Sequence, residues 1–373
     1  MTIAVLGAGM VGRAIALDLA KQYSVTSFDL NSENLLELTN RDPSINTVPA
    51  DLSRYHEYKE WLTTFDLVVT AVPGFMGYKA LQAVIKAGKD VVDISFFPED
   101  VLQLDSIAKE NGVTVITDCG VAPGVSNFIL GRYNEGMKVV EFECYVGGLP
   151  AERKPPFQYK APFSPVDVIQ EYIRPARLVE NGMIVTRPAL TDREMLSFDE
   201  VGELEAFNTD GLRSLIYTMA HIPHMKEKTL RYPGHIDLII ALQQAGFFSL
   251  SPLRIGDQVV TPLDFTSKLL VNEWKLGPEE EEFTIMKVIV KGEGKRVQYD
   301  LLDRYDPLTK TSSMARTTGY TCAAGVNLVA KGLFNKKGVF PPELVGKDKA
   351  CFDFVMKYLD DRNVNWKRSE EGV

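Results

Sequence analysis

The chain is short of positive charge, of cysteine and histidine, and of long apolar runs. Its 41 Lys and Arg face 50 Asp and Glu, for a net charge of −9. Nucleic-acid surfaces need clustered cations, so that balance argues against nucleic acid as a partner. Four cysteines, Cys119, Cys144, Cys322 and Cys351, stand far apart. No pair has metal-ligand spacing, and a chain of this length needs no disulfide staples, so buried reduced thiols, no metal and a cytoplasmic setting are expected. No stretch of about 20 apolar residues exists to span a membrane. The opening "MTIAVLGAGMVGRAIALDLA" lacks a basic leader, and Arg13 and Asp18 interrupt it, so it is not read as a signal peptide. No repeat or low-complexity linker breaks the chain. Its 373 residues exceed one compact core, so two domains are expected.

What is present begins at once. The apolar run Ile3–Leu6 leads into Gly7, Gly9 and Gly12, then into an Ala/Leu/Ile helical pattern that Met10 and Val11 open. This is G-x-G-x-x-G between a strand and a helix, the dinucleotide-binding context. Gly7 permits the tight turn, Gly9 lets a pyrophosphate approach the backbone, and Gly12 lets helix and strand lie close. The pyrophosphate sits on the helix's free N–H groups. The next strand, "SVTSFDL", ends in Asp29, placed to accept hydrogen bonds from the ribose hydroxyls and to repel a 2′-phosphate. Leu30, Asn31 and Ser32 bring no cation, which favours NAD over NADP. The plainer alternative is that Asp29 caps the following helix.

Strand and helix patterns then alternate to about residue 124, with unbroken Val/Ile runs, as in a doubly wound parallel sheet. Such sheets bind ligands outside the carboxyl ends of their strands. Asp29, Asp51, Leu52, Val72, Pro73, Asp93 and Asp118 fall at or near those ends. The middle differs. "KVVEFECYVGG" alternates, as an antiparallel strand with one wet face does, and Asn181-Gly182 and Gly292–Gly294 mark hairpins. "SPVDVIQEYI" and "TPLDFTSKLLVNEW" each open on a hydroxyl cap followed by proline, Ser164-Pro165 and Thr261-Pro262. "PEEEE" at 278–282 reads as a solvated loop. The expected architecture is α/β. A Rossmann domain spans 1–124 with 315–373, and an α+β substrate-binding and dimerisation domain with a mixed or antiparallel sheet spans 125–314. The small-residue helix from about Thr317 is expected to return to the nucleotide domain or to the cleft.

With "VLGAGMVGR", "DCGVAPGVSN", "YVGGLP", "PPFQYK", "GELEAFNTDG", "TLRYPGH" and "MARTTGY" laid out, the chain resembles the saccharopine dehydrogenase superfamily, and within it the lysine 6-dehydrogenase branch. The resemblance implies that Arg231 of "TLRYPGH" binds a substrate carboxylate, that Asp118 faces the substrate amine, and that Thr317 contacts a carboxylate. At Phe97 this chain lacks a hydroxyl that the saccharopine reductases carry near that strand end. The resemblance also implies a homodimer and a small amino-acid substrate.

The activity expected is NAD-dependent oxidative deamination of a basic amino acid, L-lysine at its ε-amine, giving a semialdehyde that closes to a cyclic imine. A lysine amine has a pKa of about 10.4 and must be neutral before hydride leaves, so a base is required. Asp118, Asp93, His235, His221 and His224 are the candidates, while a nucleophilic role for Cys119 has no place in hydride transfer. The alternatives are a saccharopine-type or carboxynorspermidine-type reductase joining an amine to a semialdehyde or keto acid, and a non-catalytic NAD-binding protein.

Overall fold

The computed structural model describes residues 1–162, 165–277 and 279–372. The glycine loop lies between β1 (Thr2–Leu6) and the helix Met10–Ala20. Five strands follow: β2 (Ser24–Asp29), β3 (Asn46–Pro49), β4 (Leu67–Thr70), β5 (Asp90–Asp93) and β6 (Thr114–Ile116). All pair in parallel, in the order β3-β2-β1-β4-β5-β6, and Gly338–Phe340 from late in the chain adds beside β6. The order reverses between β1 and β4, which opens a crevice at their carboxyl ends. β4 is buried along its whole length, so its sequence reads as continuous apolar residues with no wet face.

The middle of the chain builds a second sheet. Its strands are β7 (Val139–Pro150), β8 (Ala176–Glu180), β9 (Met183–Arg187), β10 (Glu194–Phe198), β11 (Gly202–Asn208) and β12 (His224–Arg231). After a small hairpin of β13 (Leu253–Ile255) and β14 (Gln258–Val260) come β15 (Glu282–Gly292) and β16 (Lys295–Arg304). β7 is the central strand, antiparallel to β15 but parallel to β12, so the sheet is mixed. The single wet face expected of β7 is not what forms. Val140 is 40% exposed whereas Tyr145 is 3% exposed, because a central strand is covered on both faces. The two hairpins form as expected, with positive φ at Asn181 and Gly182 and at Glu293 and Gly294. Pro262 opens the helix Pro262–Trp274 behind the N-cap Thr261, whose side chain makes no capping bond. Ser164 and Pro278 lie outside the described residues.

The helix Ser313–Ala330 returns to the nucleotide domain and packs on Met10–Ala20. A Cβ on Gly319 would stand 3.2 Å from that of Ala14, so the small residue sets the close approach. The chain does not stay there. Trp366–Gly372 pairs antiparallel with β16, which departs from placing all of 315–373 with the nucleotide fold. An unpaired β16 edge would leave its backbone groups open, and the tail covers it. Among the described residues no helix is long and apolar enough to cross a membrane.

Candidate active site

A cleft of about 1190 Å³ lies between the two sheets, lined at one end by the glycine loop and at the other by β12. At the loop end the glycines are enforced by space. A Cβ on Gly7, whose φ is +110°, would stand 2.3 Å from the Ala71 carbonyl oxygen, and one on Gly12 would stand 2.0 Å from that of Gly7. Nothing lies within 4 Å of a Cβ position on Gly9, so that side is open to an incoming group. The helix Met10–Ala20 starts without a side-chain cap and without an acid in its first turn, which leaves its N–H groups and dipole to an anion. These residues fit a dinucleotide pyrophosphate.

Asp29 accepts hydrogen bonds from the Ala8 N–H at 2.7 Å and the Asn31 N–H at 2.8 Å. It does not cap the next helix. Asn31 does, accepting from Glu33 N–H. Asp51, Leu52, Val72 and Pro73 line the same end, with the Asp51 carboxyl held below its ordinary range by the Ser53 hydroxyl and N–H. Two cations that residues 30–32 do not announce also line it, Arg13 and Arg41. Both are engaged by Glu37, at 3.0 and 2.9 Å.

At the far end Arg231 is 2% exposed and lines the cleft. Its Nε donates to Tyr172 Oη at 3.0 Å, its Nη1 to the Leu230 carbonyl at 3.0 Å, and its Nη2 reaches Glu171 at 3.3 Å. The Tyr159 ring faces the guanidinium, 4.3 Å from its central carbon. Burial pushes the Glu171 carboxyl up to about 7 even though Arg231 draws it down. His235 stands behind this group and does not line the cleft. Its Nδ1 lies 2.9 Å from the Phe157 carbonyl and its Nε2 3.0 Å from Tyr172 Oη. The tautomer that satisfies both has Nδ1–H donating to Phe157 and Tyr172 O–H donating to Nε2. Burial, then Arg231, push His235 down to about 3. It is a neutral support for Tyr172 and not a base facing substrate.

Asp118 lines the cleft, with φ +53°, but both its oxygens are held by Arg213 Nε, at 2.9 and 3.0 Å. Three other expected site residues turn away. Asp93 is fully buried, accepting from the Thr70 and Thr117 hydroxyls, and burial raises it to about 7. Its neighbour Ile94 lines the cleft instead. Phe97 is fully buried against Tyr78, while Phe96 lines the cleft. Thr317 donates back to the Ser313 carbonyl of its own helix at 2.9 Å, while Thr318 reaches the cleft. His221 bonds Asn134 and His224 is exposed at the start of β12, and neither lines the cleft. Cys119 is fully buried, its thiol pushed up by burial and by Asp93 and Asp118. The other three cysteines are also free and buried. Sequence reasoning missed Glu171, Tyr172, Arg213 and Glu227. For Glu227 a signal existed, since 227, 229 and 231 alternate along one strand and share a face.

Residues 3–116 match the family model described as saccharopine dehydrogenase NADP binding domain, and residues 120–364 match the saccharopine dehydrogenase C-terminal domain. The chain belongs to the saccharopine dehydrogenase family. Mouse mitochondrial alpha-aminoadipic semialdehyde synthase is 21% identical over 417 residues, covering 91% of this chain and 45% of that protein. The saccharopine dehydrogenase [NADP(+), L-glutamate-forming] of Pyricularia oryzae is 27% identical over 196 residues, covering 49% of this chain and 44% of that protein. This family member thus spans less than half the length of those curated relatives. The apo saccharopine dehydrogenase (L-Glu forming) of Saccharomyces cerevisiae superposes with a TM-score of 0.79 over the whole of both chains at 20% identity, which shows a shared fold.

Proposed function

We propose that this family member is a nicotinamide-dependent oxidoreductase that oxidatively deaminates a basic amino acid, L-lysine at its ε-amine, with NAD as cofactor. The observation that carries this reading is a buried guanidinium, Arg231, on the wall of the cleft that the glycine loop opens into. Of the five N–H donors of a guanidinium, three are engaged, and the contact to Glu171 is the longest. A substrate carboxylate displacing Glu171 from Nη2 would gain charge-assisted bonds to a cation already fixed by Tyr172. That grip would orient the rest of the molecule, and orientation can supply several kcal/mol of barrier reduction.

Gly7, Gly9 and Gly12, the N–H groups of Met10 and Val11, and Asp29 would hold the dinucleotide, with Asp51, Leu52, Val72 and Pro73 flanking it. The bound cofactor supplies hydride-accepting chemistry. Asp29 supports NAD, since its carboxylate repels a 2′-phosphate. Arg13 and Arg41 favour NADP, as does the name of the matching nucleotide domain, but Glu37 already engages both cations. Asp118, held by Arg213, serves here as a fixed wall of the amine end.

The second reading is a saccharopine-type reductase, favoured by the names of the relatives. A spectrophotometric screen separates the two. NAD reduction by L-lysine alone supports deamination, and NADP reduction by saccharopine with none by L-lysine overturns it. The reading includes a homodimer, for which the exposed Leu253, Ile255 and Val259 of the β13–β14 hairpin offer apolar surface, and light scattering tests it.

A further inference from the structure

We infer that Glu227 is the carboxylate that meets the substrate's cationic amine and takes its proton. The inference rests on the amine-oxidising reading above and assigns the base that reading leaves open.

β12 places the group. Glu227, Thr229 and Arg231 occupy alternate positions of one strand, and all three line the cleft. At about 3.3 Å of rise per residue, the Cα atoms of Glu227 and Arg231 stand roughly 13 Å apart. One rigid strand thus offers an anion-binding cation at one point and a carboxyl at another along the same wall. A zwitterion with a long cationic side chain has matching ends.

The carboxyls around it are taken. Asp118 is held by Arg213 at 2.9 Å, Asp210 by Arg177 at 2.8 Å and Glu171 by Arg231 at 3.3 Å. Asp167 is not free either. Glu227 is 6% exposed, and its carboxyl makes no hydrogen bond or ion pair among the described residues. A buried carboxylate without a partner is costly, and a site that retains one has a use for the missing counter-charge. The loop below is shaped around it. A Cβ on Gly211 would stand 1.6 Å from Glu227 Oε1, so a larger residue there would push the carboxyl out of its present place.

The charges facing Glu227 come from every side. Glu171, Asp210 and Asp118 repel its anion, Arg213 attracts it, and the buried thiol of Cys144 lies beside it across the β7–β12 pairing. Burial, then these acids, push it up to about 8. An ammonium brought beside it supplies the counter-charge and draws the carboxyl back into its ionised form. Binding at pH 7 therefore expels a proton to solvent. In turnover the ammonium proton passes to a Glu227 oxygen, leaving a neutral amine. With an oxidised nicotinamide bound, the C–H bond would then break, its electron pair leaving as hydride to that acceptor, while the nitrogen lone pair forms the C=N bond. Water adds to that iminium carbon, ammonium departs to leave the aldehyde, and Glu227 returns its proton to water.

The test uses the whole chain, Glu227→Gln, which keeps shape and neutrality, and Glu227→Asp. Calorimetry of L-lysine and of pentylamine, in two buffers of different ionisation enthalpy at pH 7, counts released protons. Wild type is expected to release close to one proton per ligand and Glu227→Gln none, with amine affinity at least tenfold weaker. In turnover Glu227→Gln is expected to lose about 100-fold or more in kcat and to lose the rise of kcat/KM through pH 8 that the free carboxyl gives wild type, and Glu227→Asp to recover part of both. Proton release confined to wild type, with no turnover by either protein, would uphold Glu227 as the amine site while overturning the redox reading. Wild-type-like turnover and pH profile in Glu227→Gln would overturn Glu227 and leave the redox reading standing. Failure of wild type to bind either amine at millimolar concentration would overturn both.

Discussion

The two ends of the cleft are made in different ways. The dinucleotide end is backbone: glycines without room for a side chain, and a helix start with bare N–H groups. The far end is side chains: the charges of residues 118, 171, 227 and 231 line it, Arg213 pairs with Asp118, and Tyr172 and His235 steady Arg231. A site made of backbone tolerates little change of shape. A site made of paired charges tolerates shape but depends on every partner and on pH. The sharpest break of this contrast is Gly12→Val, since even a Cβ at that position meets the Gly7 carbonyl. It is expected to weaken dinucleotide binding by more than 100-fold, read by quenching of protein fluorescence. Tight binding in that variant would mean the loop is not the cofactor site.

Arg231→Ala comes next. Loss of a buried charged hydrogen-bonding group costs about 2–3 kcal/mol, so KM for the amino acid should rise roughly 30- to 150-fold. KM for the cofactor should stay within about twofold, and an equal rise in both would place Arg231 outside substrate binding.

A smaller effect concerns pH. Asp93 and Glu171 are raised to about 7, and Glu227 and Glu282 to about 8, mainly by burial. Each folded carboxyl holds its proton where the unfolded one, near 4, has released it. The folded chain therefore carries more protons between about pH 4 and pH 8. The stability these groups contribute is full below that window and is lost as pH rises through it. The thermal midpoint should fall by roughly 3–6 °C from pH 5.5 to pH 8.5, and a rise would show that the far end is held ionised and paired. The smallest change is Tyr172→Phe, which removes the hydroxyl between Arg231 and His235. KM for the amino acid should rise about three- to tenfold, in keeping with a net hydrogen bond of about 1 kcal/mol.

The same contrast explains what could be read from the chain alone. The glycine loop and Asp29 are local, since their spacing is their geometry, and they line the cleft together. Arg231 was visible through the family resemblance that the string "TLRYPGH" carries. Asp93 shows where that kind of reading stops. A position at a strand end says nothing of which way the side chain turns, and alternation aims Asp93 at the core and Ile94 at the cleft. On the helix Ser313–Ala330, residues 314, 315 and 318 share the face toward the cleft, and Thr317 lies one step of about 100° away. The partners of Asp118 and Arg231 come from 95 and 60 residues off, a distance that no local pattern spans.

The tail that ends on β16 has a mechanical consequence. The backbone passes from the parallel sheet to the mixed one after β6, returns with the helix Ser313–Ala330, and leaves again between Phe340 and Trp366. Any widening or narrowing of the gap between the sheets must flex all three passages together. Substrate entry is therefore geared to the whole frame of the protein, and a cut near residue 361 would loosen the gap without touching a single group inside it.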